Sequence, residues 1–247
     1  MERVLKRHTR LLGLVILAVA GSALLSACSA GENDPDRIAG KQLFVQKCGA
    51  CHMLARAGTK GTQGPNLDEA FQQARQEGFG ETAIQGAVYK QILHPSVGTR
   101  ACEPDCVRMP AKLVTGDSAH DVAAYVAMVA AAGGKDEGLL ATAVKAAGDG
   151  KPVAAKDGVL SIAADPTGQL AFVTKLATAP VGSLTVRSPN KSSVLHDIVI
   201  DGKGNGQEVK DGGVSEFKAN FTAGKYDYYC SIPGHRQAGM EGTLTVK

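Results

Sequence analysis

"YYCSIPGHRQAGMEGTLTV", residues 228–246, holds one cysteine, one histidine and one methionine, each five positions after the last: Cys230, His235 and Met240. A thiolate, an imidazole and a thioether are all metal donors, and Pro233 with Gly234 shapes a turn between the first two. The closing "GTLTV" alternates apolar and other side chains, the period of a strand with one buried face. The stretch reads as a strand, a donor-bearing turn and a second strand. The plainer alternative is a Gly-rich hairpin whose histidine and methionine are incidental.

The same period of two runs upstream. "SLTVR", "HDIVI" and "FKANF" alternate, and "SPNKSS", "DGKGNG" and "TAGK" between them are turn mixtures. Residues 158–247 have room for seven or eight short strands of an all-β sandwich. His196 opens "HDIVI" after a turn, 34 residues before Cys230, so a neighbouring strand can deliver it to the same end. Two histidines, one cysteine and a weak axial methionine form the mononuclear blue-copper donor set. A binuclear copper centre would need a second bridging thiolate, and "CSIPGH" has one cysteine.

Cys230, His235 and Met240 resemble the ligand loop of cupredoxins, in the longer C-x4-H-x4-M form of the auracyanin and rusticyanin type. The resemblance implies a Greek-key sandwich over 158–247 and a type 1 copper held by His196, Cys230, His235 and Met240. Asp197 departs from the pattern, because cupredoxins usually carry Asn after the first histidine ligand, where it braces the ligand loops.

"CGACH", residues 48–52, is the c-type haem attachment pattern: Cys48 and Cys51 supply thioethers, and His52 follows at once to become an axial ligand. A C-x-x-C redox pair is the alternative, but it has no use for His52 and lacks a surrounding βαβ pattern. Over roughly 36–131 the sequence resembles class I cytochromes c. "DRIAGKQLFVQKCGACH" starts a helix with Gly40 and Phe44 on one face, and "HDVAAYVAMVAAAGG" is a second, Ala-rich helix ended by glycines. The resemblance implies that these helices cross, Gly40 letting the backbones approach near Tyr125. It also implies that the Pro65 carbonyl in "GPNL" accepts the His52 ring proton, a bond that orients the ligand. Met109 in "RMP" becomes the distal ligand.

Rivals to Met109 fall away on position. Met53 is tethered beside His52, Met128 sits in the Ala-rich helix as core filler, and His120 stands at a helix entrance facing solvent. His94, before Pro95 in a loop, is the remaining competitor. A His/Met pair leaves no open iron position, which suits electron transfer and disfavours oxygen or peroxide chemistry.

At the N-terminus, "MERVLKRHTR" is basic, "LLGLVILAVAGSALL" is an apolar run of signal-peptide length, and "LSAC" resembles a lipobox. That resemblance implies cleavage after residue 27 and a lipid on Cys28, with 28–35 as the tether. An uncleaved anchor is the alternative, although 15 apolar residues are few for a span. Loss of residues 1–27 removes four basic and one acidic side chain and leaves 23 of each. A neutral chain has no basic stripe for nucleic acid and no one-sided field to steer a partner.

Cys102 and Cys106 in "CEPDC" have no histidine at zinc-like spacing, and an oxidising compartment favours a local disulfide between them over two free thiols. Residues 133–157, rich in Ala, Gly and Lys, read as a connector in which "DEGLLATAVKAAG" looks like a short helix. Fully flexible, it would span about 28 Å.

Two domains are therefore expected: an all-α cytochrome c region over 36–132 and an all-β cupredoxin region over 158–247. The reading is a lipid-anchored, exported electron carrier with one covalent haem c and one copper, standing between a quinol-oxidising complex and a terminal oxidase or reductase. A small redox enzyme is the rival. A copper nitrite reductase needs further histidines, and beyond the assigned set only His94 and His120 remain in the chain expected after cleavage at residue 27. A peroxidase needs Met109 to leave the iron, and a copper-delivery protein would cluster more Met or Cys.

Overall fold

Asp36 starts the first helix, α1 (Arg37–Lys47), by accepting hydrogen bonds from the Ile38 and Ala39 N–H groups at 2.8 and 3.0 Å. Such a cap satisfies donors that the first turn leaves without partners. The computed structural model describes residues 34–96 and 108–247. Cys28, Cys102 and Cys106, with the signal segment 1–27, lie outside the described residues, so the lipid site and the proposed disulfide do too.

Helices α2 (Leu67–Gln76), α3 (Glu81–Leu93) and α4 (Asp117–Val129) complete the main helical frame. A small antiparallel pair, β1 (Met53–Leu54) with β2 (Thr59–Lys60), interrupts what the sequence suggests is purely helical. α1 crosses α4 at Gly40, where an added Cβ would lie 2.1 Å from the Asp121 carbonyl oxygen. Phe44 and Tyr125 meet at that crossing with ring centroids 6.4 Å apart, both fully buried. Asp68 joins distant segments: one carboxylate oxygen accepts from Ala55 N at 2.8 Å and the other from Ala131 N at 2.9 Å. The bond also secures Ala131, whose φ of 55° is in the left-handed region. Among the described residues, no helix is long and apolar enough to cross a membrane.

The connector is bonded to both the helical part and the part that follows it. It contains α5 (Gly138–Thr142), shorter than the helical stretch the sequence suggests. Lys41 Nζ donates to the Leu140 carbonyl at 2.8 Å, Gln42 donates to the Ala143 carbonyl at 3.0 Å, and Leu140 and Val144 pack on the helical core. Asp136 pairs with Lys41 at 2.9 Å and Arg56 at 2.7 Å. Past Gly150, whose N–H bonds the Val173 carbonyl at 2.8 Å, the chain becomes strand β3 (Val153–Ala154). These bonds replace a flexible tether with short, pinned segments.

The rest is a two-layer sandwich. Its strands are β4 (Val159–Ser161), β5 (Leu176–Ala179), β6 (Gly182–Pro189), β7 (Val199–Ile200), β8 (Gly204–Asn205), β9 (Val214–Phe221), β10 (Gly224–Tyr229) and β11 (Glu241–Val246). One layer orders its strands β3-β5-β11-β10-β7-β8, and the other β4-β6-β9. Hydrophobic side chains from both layers, among them Leu160, Leu184, Val186, Ile198, Phe221 and Leu244, fill the space between. With no Trp and few aromatics this core is mainly aliphatic. "HDIVI" is mostly loop: Val199 and Ile200 form the strand, and His196 makes only an isolated bridge to Val209. β10 pairs β11 antiparallel and β7 antiparallel, so the ends of these three strands converge.

Candidate metal centres

Cys230 follows directly on β10, Met240 directly precedes β11, and the loop between them is closed by backbone bonds. Cys230 N donates to the Met240 carbonyl at 3.1 Å, and Met240 N donates to the His235 carbonyl at 3.0 Å. The ten-residue spacing from Cys230 to Met240 is thereby folded back into one small region. His196 arrives from the other direction, in an isolated bridge with Val209 just before β7. Its Nδ1 lies 4.0 Å from Cys230 Sγ and 3.2 Å from His235 Nδ1, and His235 Nδ1 lies 3.3 Å from Cys230 Sγ. All three side chains are buried, and Met240 is fully so.

Burial governs the protonation of this trio. It lowers the His196 pKa to about 3, with a smaller push from His235, and lowers that of His235 to about 4. It raises the Cys230 thiol to about 12. Three donor atoms therefore converge in a site that resists every charge they might carry alone. His196 Nε2 is buried without a hydrogen-bond partner. A thiophilic cation resolves the conflict, by compensating the thiolate and using the imidazole lone pairs. The donor set fits copper.

The residue beside His196 acts as a brace after all. Asp197 accepts from Ser231 N at 2.7 Å and also from the Ser231 hydroxyl, tying the His196 segment to the residue after Cys230. Aspartate replaces the expected amide by acting as acceptor only. A second support was missed from the sequence. Asn190 is buried, donates to the Val194 and Val209 carbonyls at 2.7 and 2.8 Å, and accepts from Ser192 N at 3.0 Å. These bonds fix the turn that presents His196. Asn in the turn mixture "SPNKSS" was the signal available, since its amide can satisfy several backbone groups at once.

A pH prediction follows for the metal-free protein. The unfolded histidines bind protons near their ordinary pKa of 6.5, and the folded ones hold out to about 4 and 3. The unfolded state thus binds more protons through this window, and stability is present above pH 6.5 and lost as pH falls toward 3. Urea titrations of the metal-free form at successive pH values should show this acid limb, and a flat profile between pH 7 and 4 would rule it out.

In the helical part, Cys48 ends α1, its N–H bonded to the Phe44 carbonyl at 2.8 Å. The next residues coil tightly, with Cys51 N and His52 N both donating to the Cys48 carbonyl at 3.1 and 2.9 Å. Both thiols thus stand on one turn beside His52. His52 Nδ1 lies 3.0 Å from the Pro65 carbonyl, which makes Nδ1 the protonated nitrogen and leaves Nε2 with the lone pair. Gly64 backs the ring so closely that a Cβ there would lie 2.5 Å from His52 Cε1. Burial raises the Cys48 thiol to about 12 and raises Cys51 as well. A low-pKa redox pair would show the opposite. The residues fit a thioether-linked haem.

Met109 packs on the helical core, its sulfur 3.9 Å from Gln91 Nε2 on α3. His94 is exposed at the end of α3. Met128 packs against the helical core. His120 is not simply solvent-facing: it is half-buried and stacks on Tyr89 with centroids 4.1 Å apart.

The two parts match two different families. Residues 38–130 match the family model for cytochrome c, and residues 161–247 match that for copper binding proteins of the plastocyanin/azurin family. The cofactors are accordingly one covalent haem c and one type 1 copper.

Among individual proteins, the chain is similar to rusticyanin from Acidithiobacillus ferrooxidans, 47% identical over 51 residues that cover 20% of this chain and 33% of that protein. Rusticyanin from Acidithiobacillus ferridurans is 43% identical over 53 residues, covering 21% of this chain and 28% of its own. The chain spans a third or less of the length of these curated relatives. A solved structure of auracyanin A, a "blue" copper protein from Chloroflexus aurantiacus, is 22% identical and covers 39% of this chain and 100% of its own, with a TM-score of 0.33.

Proposed function

We propose that this chain is a respiratory-type electron carrier that moves single electrons through a class I haem c site and a cupredoxin site. In this reading Cys48 and Cys51 would hold the haem by thioethers, His52 and Met109 would ligate its iron, and the Pro65 carbonyl would orient His52. His196, Cys230 and His235, with Met240, would hold the copper at one end of a Greek-key sandwich. The observation that carries it is the convergence of His196, Cys230 and His235 in one buried cluster, in the same chain as Cys48, Cys51 and His52 on one turn. His52 and Met109 would hold the iron, and the buried trio with Met240 would hold the copper. Each group supplies one-electron redox chemistry when bound, and neither set leaves a position for substrate.

The protein's part is to hold the donors still. The Asp197 and Asn190 bonds at the copper-type site, and the His52–Pro65 bond with Gly64 at the haem-type site, fix the donor segments in place. Export, a lipid on Cys28, a membrane-bound position, a quinol-oxidising donor and a terminal oxidase or reductase as acceptor complete the proposal. The signal-like N-terminus supports the first three, and the one-electron chemistry of both groups is what suggests redox partners of this class.

Replacing Cys230 with Ser should abolish the thiolate-to-copper absorption and leave the haem spectrum unchanged. Met109→Ala should give a high-spin or ligand-exchangeable haem and leave the copper band unchanged. If His94→Ala produces that haem change instead, the distal assignment fails. Haem that comes away in acidic acetone would remove the Cys48 and Cys51 assignment.

A further inference from the structure

A cavity of about 350 Å³ opens where the helical part, the connector and the sandwich meet. Five of its lining side chains are cationic: Lys41, Arg56 and Lys60 from the helical part, Lys145 from the connector and Lys175 from the sandwich. Among the described residues, no aspartate or glutamate lines it. In a chain with 23 basic and 23 acidic side chains after residue 27, this one-sided lining is a local departure from balance. None of the assigned haem or copper ligands lines the cavity, so it is separate from both centres.

The cations differ in how far they are already compensated. Lys41 and Arg56 share Asp136, which lies behind the wall. Lys60, Lys145 and Lys175 form no salt bridge among the described residues. The Lys60 ammonium reaches across to the copper loop, 3.9 Å from where a Cβ on Gly239 would stand. The Lys175 stem lies over the connector, its Cε 3.0 Å from the Cβ position of Gly148. Three separate segments therefore contribute lysines, unpaired among the described residues, to the lining of one concavity, each carrying hydrogen-bond donors and no acceptor.

We propose that this junction cavity binds a small, multiply charged oxyanion of the phosphate or sulfate type. Such a ligand offers several acceptor oxygens to converging ammonium donors and draws on charge-assisted bonds. It would bridge all three segments, because Lys60, Lys145 and Lys175 belong to one each. Bound there, it would stabilise the junction between the loop that carries "CGACH" and the loop that leads to Met240. The proposal stands independently of which proteins exchange electrons with the chain.

The test uses the intact protein with both cofactors and pyrophosphate as the probe, with sodium chloride matched for ionic strength. Isothermal calorimetry should show saturable binding, and the unfolding temperature should rise with pyrophosphate concentration as expected for a ligand of the folded state. Lys60→Gln with Lys175→Gln should weaken binding at least about tenfold, while Lys60→Arg with Lys175→Arg should retain it. Lys210→Gln with Lys225→Gln, away from the cavity, should bind as the parent does. Haem and copper spectra confirm that each variant is loaded and folded. Equal binding by the parent and the Lys60→Gln/Lys175→Gln variant, or no saturable binding by the parent, overturns the proposal.

Discussion

Replacing Asp136 with alanine should destabilise the protein by about 3–5 kcal/mol, because it leaves a buried ammonium without its charge partner. Asp136 and Lys41 are almost wholly buried, with side-chain exposures of 4% and 7%, and Arg56 is 18% exposed. One carboxylate serves both cations at 2.9 and 2.7 Å and also accepts from the Tyr125 hydroxyl at 3.2 Å. Lys41 would keep only the Leu140 carbonyl. Burial and the Asp136 charge already push the Tyr125 hydroxyl pKa upward, so that group stays a neutral donor. The midpoint of thermal unfolding should fall by about 10 °C for a unit of this size. Arg37→Ala supplies the contrast. Its pair with Glu81, at 3.4 Å and about half exposed on each side, should contribute less than about 1 kcal/mol. A loss below 1 kcal/mol for Asp136→Ala would show that water reaches Lys41 and that the connector is not pinned through this residue.

Asp136 also shows where sequence reasoning ran out. The donor groups of both metal sites were legible because they are local: Cys48, Cys51 and His52 fall within five residues, and Cys230, His235 and Met240 within eleven. Adding His196 took one further step, that strands ending near one another share an end of the sandwich. Composition made residues 133–157 a loose connector, since Ala, Gly and Lys carry no strong period. What fixes that segment is pairing across 80 residues to Arg56 and 99 residues from Lys41 to Leu140, which no local pattern encodes. The same holds for Asp68, whose two oxygens join Ala55 and Ala131, and for Asn190, which holds the His196 turn. Asp197 was legible as a departure from a family pattern. Only the structure showed that its carboxylate still meets Ser231.

Replacing Gly40 with alanine pits two effects of opposite sign against each other. Helix propensity favours alanine over glycine in a helix interior by about 1 kcal/mol, so an isolated α1 would gain. In the folded chain the new Cβ would lie 2.1 Å from the Asp121 carbonyl oxygen, 2.6 Å from its carbon and 3.1 Å from Tyr125 Cβ. The first two are backbone atoms of α4 and cannot rotate away, so the helices must separate. Separation would strain the bond from Asp36 N to the Asp121 carboxylate, 2.8 Å long, and loosen the Phe44–Tyr125 contact. Overpacking a rigid crossing costs about 1–3 kcal/mol and more where backbone is struck, which exceeds the propensity gain. Gly40→Ala should therefore lose at least about 2 kcal/mol in urea titration. Gly58→Ala is the control for backbone strain alone. Its φ is +71° and nothing lies within 4 Å of a Cβ there, so it should lose only about 1–2 kcal/mol from the left-handed conformation. The two variants should differ in kind as well as size. α1 ends in Cys48 and leads into His52, so Gly40→Ala should also disturb the haem spectrum, whereas Gly58→Ala should not. A Gly40→Ala protein as stable as the parent, with an unaltered haem spectrum, would mean that α1 and α4 do not touch at this residue.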